Sequence, residues 1–170
     1  ALQRAECMPH ICAIRLISSV DFPAGWEPAR DRSAGVSWGK PPAQITVMAP
    51  DFDRSNLQVS QTGTSYAKRY PCIWNAQKYP NQADYEIDFP VSADYEFSAL
   101  YTALASRPVD ILLDGKTMHK GFAGVTGSWD TDKAAWEKQL TLHIEKGVHT
   151  ITLQCQSCMP HICGFRLTSS

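Results

Sequence analysis

Strict alternation of apolar and polar residues, in runs too short for a helix, limits most of what this chain can become. In "DYEIDF", Tyr85, Ile87 and Phe89 fall on one face and Glu86 and Asp88 on the other. "EFSALY" repeats the pattern with Phe97, Ala99 and Tyr101, and "QLTLHI" with Leu140, Leu142 and Ile144. "EKGVHTITLQC" turns at Lys146–Gly147 and then alternates Ile151, Leu153 and Cys155. Successive side chains of a strand point to opposite faces, so this period buries one face of a sheet and wets the other. "QITVM" (44–48) is a further β-branched run, "VDILLDGKTM" carries an Asp114–Gly115 hairpin signal, and "CGFRLTS" places Phe165 and Leu167 inward. Short strands at regular spacing, with turn signals between them, predict an all-β sandwich or barrel. The helix signal in "DTDKAAWEKQ" (130–139) predicts one turn, capped by Asp130 or Thr131.

The chain also repeats itself. "ALQRAECMPHICAIRLISS" (1–19) aligns with "TLQCQSCMPHICGFRLTSS" (152–170), with twelve of nineteen positions identical. Such self-similarity is the mark of a repeat architecture. The simplest reading is a tandem array, in which 1–19 is the closing segment of one unit and a complete unit follows. The alternative is one domain whose two end segments are duplicates lying side by side. Residues 20–43 are rich in Pro, Gly, Ala and charge without a sustained period and read as a linker or wrap. Residues 44–170 carry the strand pattern.

At 170 residues the chain has a one-domain length. Its net charge is −1 with no run of Lys or Arg, which argues against a nucleic-acid partner and a polybasic membrane patch. No apolar run reaches the ~18 residues of a transmembrane helix, so membrane insertion is not expected. No signal-peptide pattern is visible at the start.

Six cysteines are present: Cys7, Cys12, Cys72, Cys155, Cys158 and Cys163. Both copies of the repeat share the pair inside "CMPHIC", where Pro9 and Pro160 favour a turn. The expected disulfides are therefore Cys7–Cys12 and Cys158–Cys163, leaving Cys72 for Cys155; pairing between the two copies is the main competitor. "CQSC" (155–158) also fits a redox or zinc element, and the Cys, Met and His of the repeat fit copper(I). A disulfide framework points to an oxidising compartment: secreted, cell-surface or periplasmic.

The run "ADYEIDFPVSADYEFSALYTALASRPVDILLDGKTM" resembles the middle of carbohydrate-binding modules of families 6 and 35 and related galactose-binding-like domains. "VMAPDFD" (47–53) stands where those modules open, "TGSW" (126–129) where they carry Thr-Gly-x-Trp, and "GVHTITL" (147–153) and "PHICGFRL" (160–167) where they close. The resemblance spans about residues 44–170 and implies a β-jelly-roll sandwich of two antiparallel sheets. It also implies a non-catalytic sugar-binding module of a larger secreted protein. The family's structural calcium is expected to be lost. Met48 and Pro50 replace its Glu residues and Cys163 its Asp, and none of these side chains offers the hard oxygen that calcium takes. Asp51 and Asp53 remain nearby. No other cofactor is expected.

A pyranose packs its C–H face on an aromatic ring while its hydroxyls take fixed donors and acceptors. By resemblance, the glycan site comprises Trp74, Asn75 and Tyr79 from the loop before "DYEIDF", Trp129 of "TGSW", and His161 where the family has Asn. Structural readings stand beside these. Trp129 also reads as core, Trp74 and Tyr79 as cover for Cys72, and His161, with its twin His10, as part of the turn. Trp136 reads as packing, and His119, His143 and His149 as solvated.

No nucleophile elbow, HExxH or phosphate loop is present, and the carboxylate pairs, such as Asp51 with Asp53, lie two apart as on a wet strand face. The chain is expected not to be an enzyme. The leading expectation is a glycan-binding module. The second is a disulfide-stapled repeat unit of an extracellular array or fibre, meeting neighbouring copies through residues 1–19 as strand addition does.

Overall fold

The structure is a computed structural model that describes residues 43–76 and 78–170. The expectations for the 1–19 tail, for 20–42, and for Cys7 and Cys12 lie outside the described residues.

The strands are β1 Gln44–Met48, β2 Arg54–Ser55, β3 Gln58–Ser60, β4 Cys72–Trp74, β5 Asn81–Phe89 and β6 Ala93–Thr102. They continue with β7 Val109–Leu113, β8 Lys116–Gly121, β9 Ala135–Ile144, β10 Gly147–Cys155 and β11 His161–Ser169. They form two antiparallel sheets. One runs β3-β4-β11-β6-β9, the other β2-β5-β10-β7-β8. β11 is long enough to serve two partners on one edge. Ile162 pairs Ile73 of β4, and Gly164 to Thr168 pair Met48 to Gln44 of β1.

The predicted inward faces are the observed ones, although β6 is buried on both faces from Phe97 to Thr102 instead of alternating. Tyr85, Ile87 and Phe89 of β5, Phe97, Ala99 and Tyr101 of β6, and Ile151 and Leu153 of β10 are all buried in one core between the sheets. Phe165 of β11 joins the two layers. Its ring stacks on Phe97 at 5.0 Å and 13° and meets Tyr85 edge-on at 4.9 Å. The core tyrosines carry hydroxyls that need partners. Tyr85 donates to the Ala49 carbonyl at 2.7 Å and Tyr95 to the Val91 carbonyl at 2.9 Å, while Tyr101 donates to Glu137. Asp114 and Gly115 turn β7 into β8 with φ of 49° and 79°, the left-handed geometry that a two-residue hairpin requires.

The expected single turn within 130–139 is a three-residue 3-10 turn, Thr131–Lys133, with Asp130 at its N-cap position but without a side-chain hydrogen bond, and Ala135 onward is strand. The Thr131 hydroxyl is engaged elsewhere. Two local expectations are corrected, those for Trp136 and His149. Trp136 is exposed on β9, with the Arg166 guanidinium 4.5 Å over its ring. His149 is half-buried, with Nδ1 2.6 Å from Asp114 Oδ2 and its ring against Phe89. Among the described residues, no helix is long and apolar enough to cross a membrane.

Candidate functional site

The end of β4, the start of β11, and the segments before β9 and between β3 and β4 meet at one end of the six-stranded sheet. His161 opens β11 there and is buried. Three aromatic rings surround it. Tyr66 lies 4.7 Å from the imidazole centroid, Trp129 at 5.3 Å and Trp74 at 6.2 Å. Tyr66 and Trp74 also meet edge-on at 6.5 Å. Tyr66 is the most exposed of the group at 39%, so it is the ring best placed to receive a ligand from solvent.

Each ring has a local reason for its place. Trp74 is the last residue of β4, held by the pairing of its strand to β11. Trp129 follows a corner at Thr126–Gly127. Both amides donate there to the Ala103 carbonyl, and Gly127 takes a φ of 80° that favours glycine. The Thr102 hydroxyl donates to the Ser128 carbonyl at 2.7 Å and ties the same segment to β6. Tyr66 sits on a tight loop with Gly63 and Ser65 at positive φ, closed by Ala67 donating to Thr64 and Gly63 donating to Ala67.

Thr131 locks that loop to the Trp129 segment. Its amide donates to the Tyr66 carbonyl at 2.8 Å. Its hydroxyl accepts from the amides of Arg69 and Tyr70 and donates to the Tyr70 carbonyl, each at 3.0 Å.

The His161 Nδ1 donates to the Trp129 carbonyl at 2.7 Å, leaving Nε2 as the ring's acceptor. Burial holds its pKa below the ordinary histidine value. The Trp129 carbonyl opposes that shift, while the Arg107 charge adds to it. His161 is therefore a neutral polar group among the three rings. Arg107 lies with its guanidinium 3.9 Å over the Trp129 ring and donates to the Met159 carbonyl at 3.0 Å. That guanidinium occupies one face of the indole. The Trp74 Nε1 is buried with no hydrogen-bond partner among the described residues.

Of the residues expected from sequence, Trp74, Trp129 and His161 are gathered here. Asn75 and Tyr79 have other surroundings. The Asn75 Oδ1 accepts from the Met159 amide at 2.5 Å and pins the loop before β11. Tyr79 is 57% exposed, with its hydroxyl 3.9 Å from the Cys158 sulfur. Two residues escaped the sequence reading. Tyr66 lay in an unpatterned polar loop, "QTGTSYAKRY", where a lone aromatic among small turn residues was the available signal. Arg107 lay in a loop with no charge pattern.

The expected Cys158–Cys163 and Cys72–Cys155 disulfides are absent. All four residues are free thiols. The chain bends at Gln156 and Ser157, before Cys158, and runs extended from His161, so Cys158 and Cys163 are carried apart. The Cys155 thiol faces the Pro108 carbonyl at 3.3 Å on the core side, whereas Cys72 packs in a separate cluster.

Among the described residues, no three His, Cys, Asp or Glu side chains converge as a metal site. Asp53 Oδ2 accepts from the Glu86 amide at 2.7 Å, and Cys163 lies in an apolar cluster with Leu100 and Ala67. Nearby, Asp84 is engaged by Arg54, Gln82 and Thr152. Its carboxylate serves the sheet surface.

No family profile and no curated protein sequence matches the chain. Solved structures do. A family 35 carbohydrate-binding module from Clostridium thermocellum is 17% identical with a TM-score of 0.60, covering 75% of this chain and 99% of its own. The C-terminal family 6 module of a marine laminarinase from Zobellia galactanivorans is 18% identical with a TM-score of 0.59, covering 74% and 99%. A Podospora anserina β-(1,4)-mannanase with a family 35 module is 16% identical with a TM-score of 0.62, covering 75% of this chain and 28% of that enzyme. The fold is that of these modules, as the sequence resemblance implied.

Proposed function

We propose that this domain is a non-catalytic carbohydrate-binding module, and that its glycan docks on Tyr66 above His161, flanked by Trp74 and Trp129. The observation that carries the reading is the exposed Tyr66 ring set 4.7 Å from a buried, neutral imidazole at the sheet end. An aromatic face suits the C–H side of a pyranose, and a fixed polar group beneath it suits a hydroxyl. The fold shared with family 6 and family 35 modules supports the same reading. A polysaccharide ligand suits a secreted or cell-surface setting. The alternative, assembly through residues 1–19, rests on residues outside those described.

The test is affinity electrophoresis of the full chain through gels containing soluble mannan, xylan, β-glucan, galactan or a polyuronate, followed by calorimetric titration. Retardation by at least one polymer, abolished by Tyr66→Ala and by Trp74→Ala with the fold intact by circular dichroism, is expected. Free migration in every gel, or retardation that both variants leave unchanged, overturns the proposal.

A further inference from the structure

Cys72 and Cys163 lie beside each other at the seam between β4 and β11. These strands are antiparallel with Ile73 paired to Ile162. One step outward, the Cys163 carbonyl accepts from the Ala49 amide at 2.9 Å, so Cys72 lies beside Cys163 in a shared buried cluster rather than paired to it in the ladder. Neighbouring side chains on one face of adjacent strands lie roughly 4.5–8 Å apart, a range that overlaps the reach of a disulfide. A disulfide spans Cα separations of about 4.4–6.8 Å. Ile73 and Ile162 point into the main core, while Cys72 and Cys163 share a small cluster with Ala67 and Leu100 on the other face. Both cysteines are fully buried at 0% exposure.

We propose that Cys72 and Cys163 close a cross-strand disulfide that staples β4 to β11 beside the aromatic cluster. Trp74 and His161 each lie two residues from one of these cysteines, on the same strands. The link therefore locks the seam that holds both rings in register.

The chemistry is thiol–disulfide exchange with a low-molecular-weight disulfide such as oxidised glutathione. One cysteine thiolate attacks a glutathione sulfur, and a glutathione thiolate leaves. The second cysteine thiolate then attacks the protein sulfur of the mixed disulfide and expels a second glutathione. Two electrons pass from the cysteines to glutathione, and the two cysteine protons end on two glutathione thiols. Burial pushes the Cys72 thiol up to about 12 and raises Cys163 as well, with the Cys72 charge adding to the latter. Folded, closed thiols are poor nucleophiles, so exchange belongs to folding or to opening of the seam. Once formed, the bond is screened from reductants by the same burial. The remaining described thiols do not compete: Cys155 faces the Pro108 carbonyl and Cys158 faces the Tyr79 hydroxyl.

The methionines make the pairing directly readable. Cleavage after Met8, Met48, Met118 and Met159 leaves Cys7, Cys12 and Cys72 on fragments 1–8, 9–48 and 49–118. It leaves Cys155 and Cys158 together on 119–159, and Cys163 alone on 160–170. The full chain is refolded in a glutathione redox buffer, its free thiols are alkylated, and it is cleaved with cyanogen bromide in acid without reduction. Mass spectrometry is expected to show 49–118 joined to 160–170, two hydrogens lighter than the separate fragments combined. The urea midpoint of the oxidised chain is expected to fall on reduction. Joining of 49–118 or 160–170 to any other fragment overturns the proposal, as does full alkylation of Cys72 and Cys163 in the oxidised chain.

Discussion

Thr131 and Tyr66 are joined backbone to backbone, the Thr131 amide donating to the Tyr66 carbonyl at 2.8 Å from a different loop. The buried Thr131 hydroxyl adds three hydrogen bonds to the same loop through Arg69 and Tyr70. Tyr66 is thus positioned by a residue on another loop.

Replacing Thr131 with Val keeps the shape and removes the hydroxyl. Two amides and a carbonyl then lose a partner, at about 1–3 kcal/mol for each one left buried and unsatisfied. We expect a stability loss of roughly 2 kcal/mol by urea denaturation and at least a tenfold weaker polysaccharide affinity by calorimetry. Thr131→Ser, which keeps the hydroxyl, is expected to restore both.

His161 is expected to make stability depend on pH. Its pKa is lowered in the folded chain by burial, whereas the unfolded chain takes up the proton near the ordinary value of about 6.5. As pH falls below that value the unfolded state binds protons first, so stability declines between about 6.5 and the lowered folded pKa and is unaffected above about 6.5. The charges acting on the ring are Arg107, which lowers its pKa further, and Asp130, which opposes the shift. His143 works in the other direction, because its hydrogen bond to Asp94 raises its pKa. The readout is therefore the wild type minus His161→Gln. That difference is expected to favour the wild type less and less as pH drops from about 6.5, with polysaccharide affinity holding through that window and falling only at the lower pH where the folded imidazole itself takes up the proton.

Gly164 tests how closely β1 rides on β11. A Cβ at this position would lie 2.7 Å from the Val47 carbonyl oxygen and 3.4 Å from the Met48 Cα, both backbone atoms of β1. Gly164→Ala forces β1 outward, at about 1–3 kcal/mol. The expected signature is faster amide hydrogen exchange along Ile45 to Met48, alongside a lower urea midpoint.

Phe165 sits between the layers, against Phe97 and Tyr85. Phe165→Ala leaves a cavity where the two sheets meet and is expected to cost about 3–5 kcal/mol. The matched control, Val59→Ala on exposed β3, is expected to change stability by less than about 0.5 kcal/mol. Equal losses in chemical denaturation would contradict this account of the core.

The sequence by itself determined the strands and their inward faces. Period-two alternation is a property of each strand alone, so Tyr85, Ile87 and Phe89 declared their burial without knowledge of their partners. The Asp114–Gly115 turn was equally local, because positive φ is a demand on those two residues. Order and spacing of short motifs carried the resemblance to carbohydrate-binding modules, and with it Trp74, Trp129 and His161. The tertiary structure alone decided what those residues meet. Tyr66 approaches His161 across nearly a hundred residues of chain, and Arg107 reaches Trp129 from another loop. Neither contact leaves a periodic trace. Cysteine partners were misread for the same reason. Spacing along the chain suggested the local pair Cys158–Cys163, whereas the docking of β4 on β11 brings Cys72 into one buried cluster with Cys163. Register is specified by the whole buried face of a sheet, so it becomes legible only when both strands are in place.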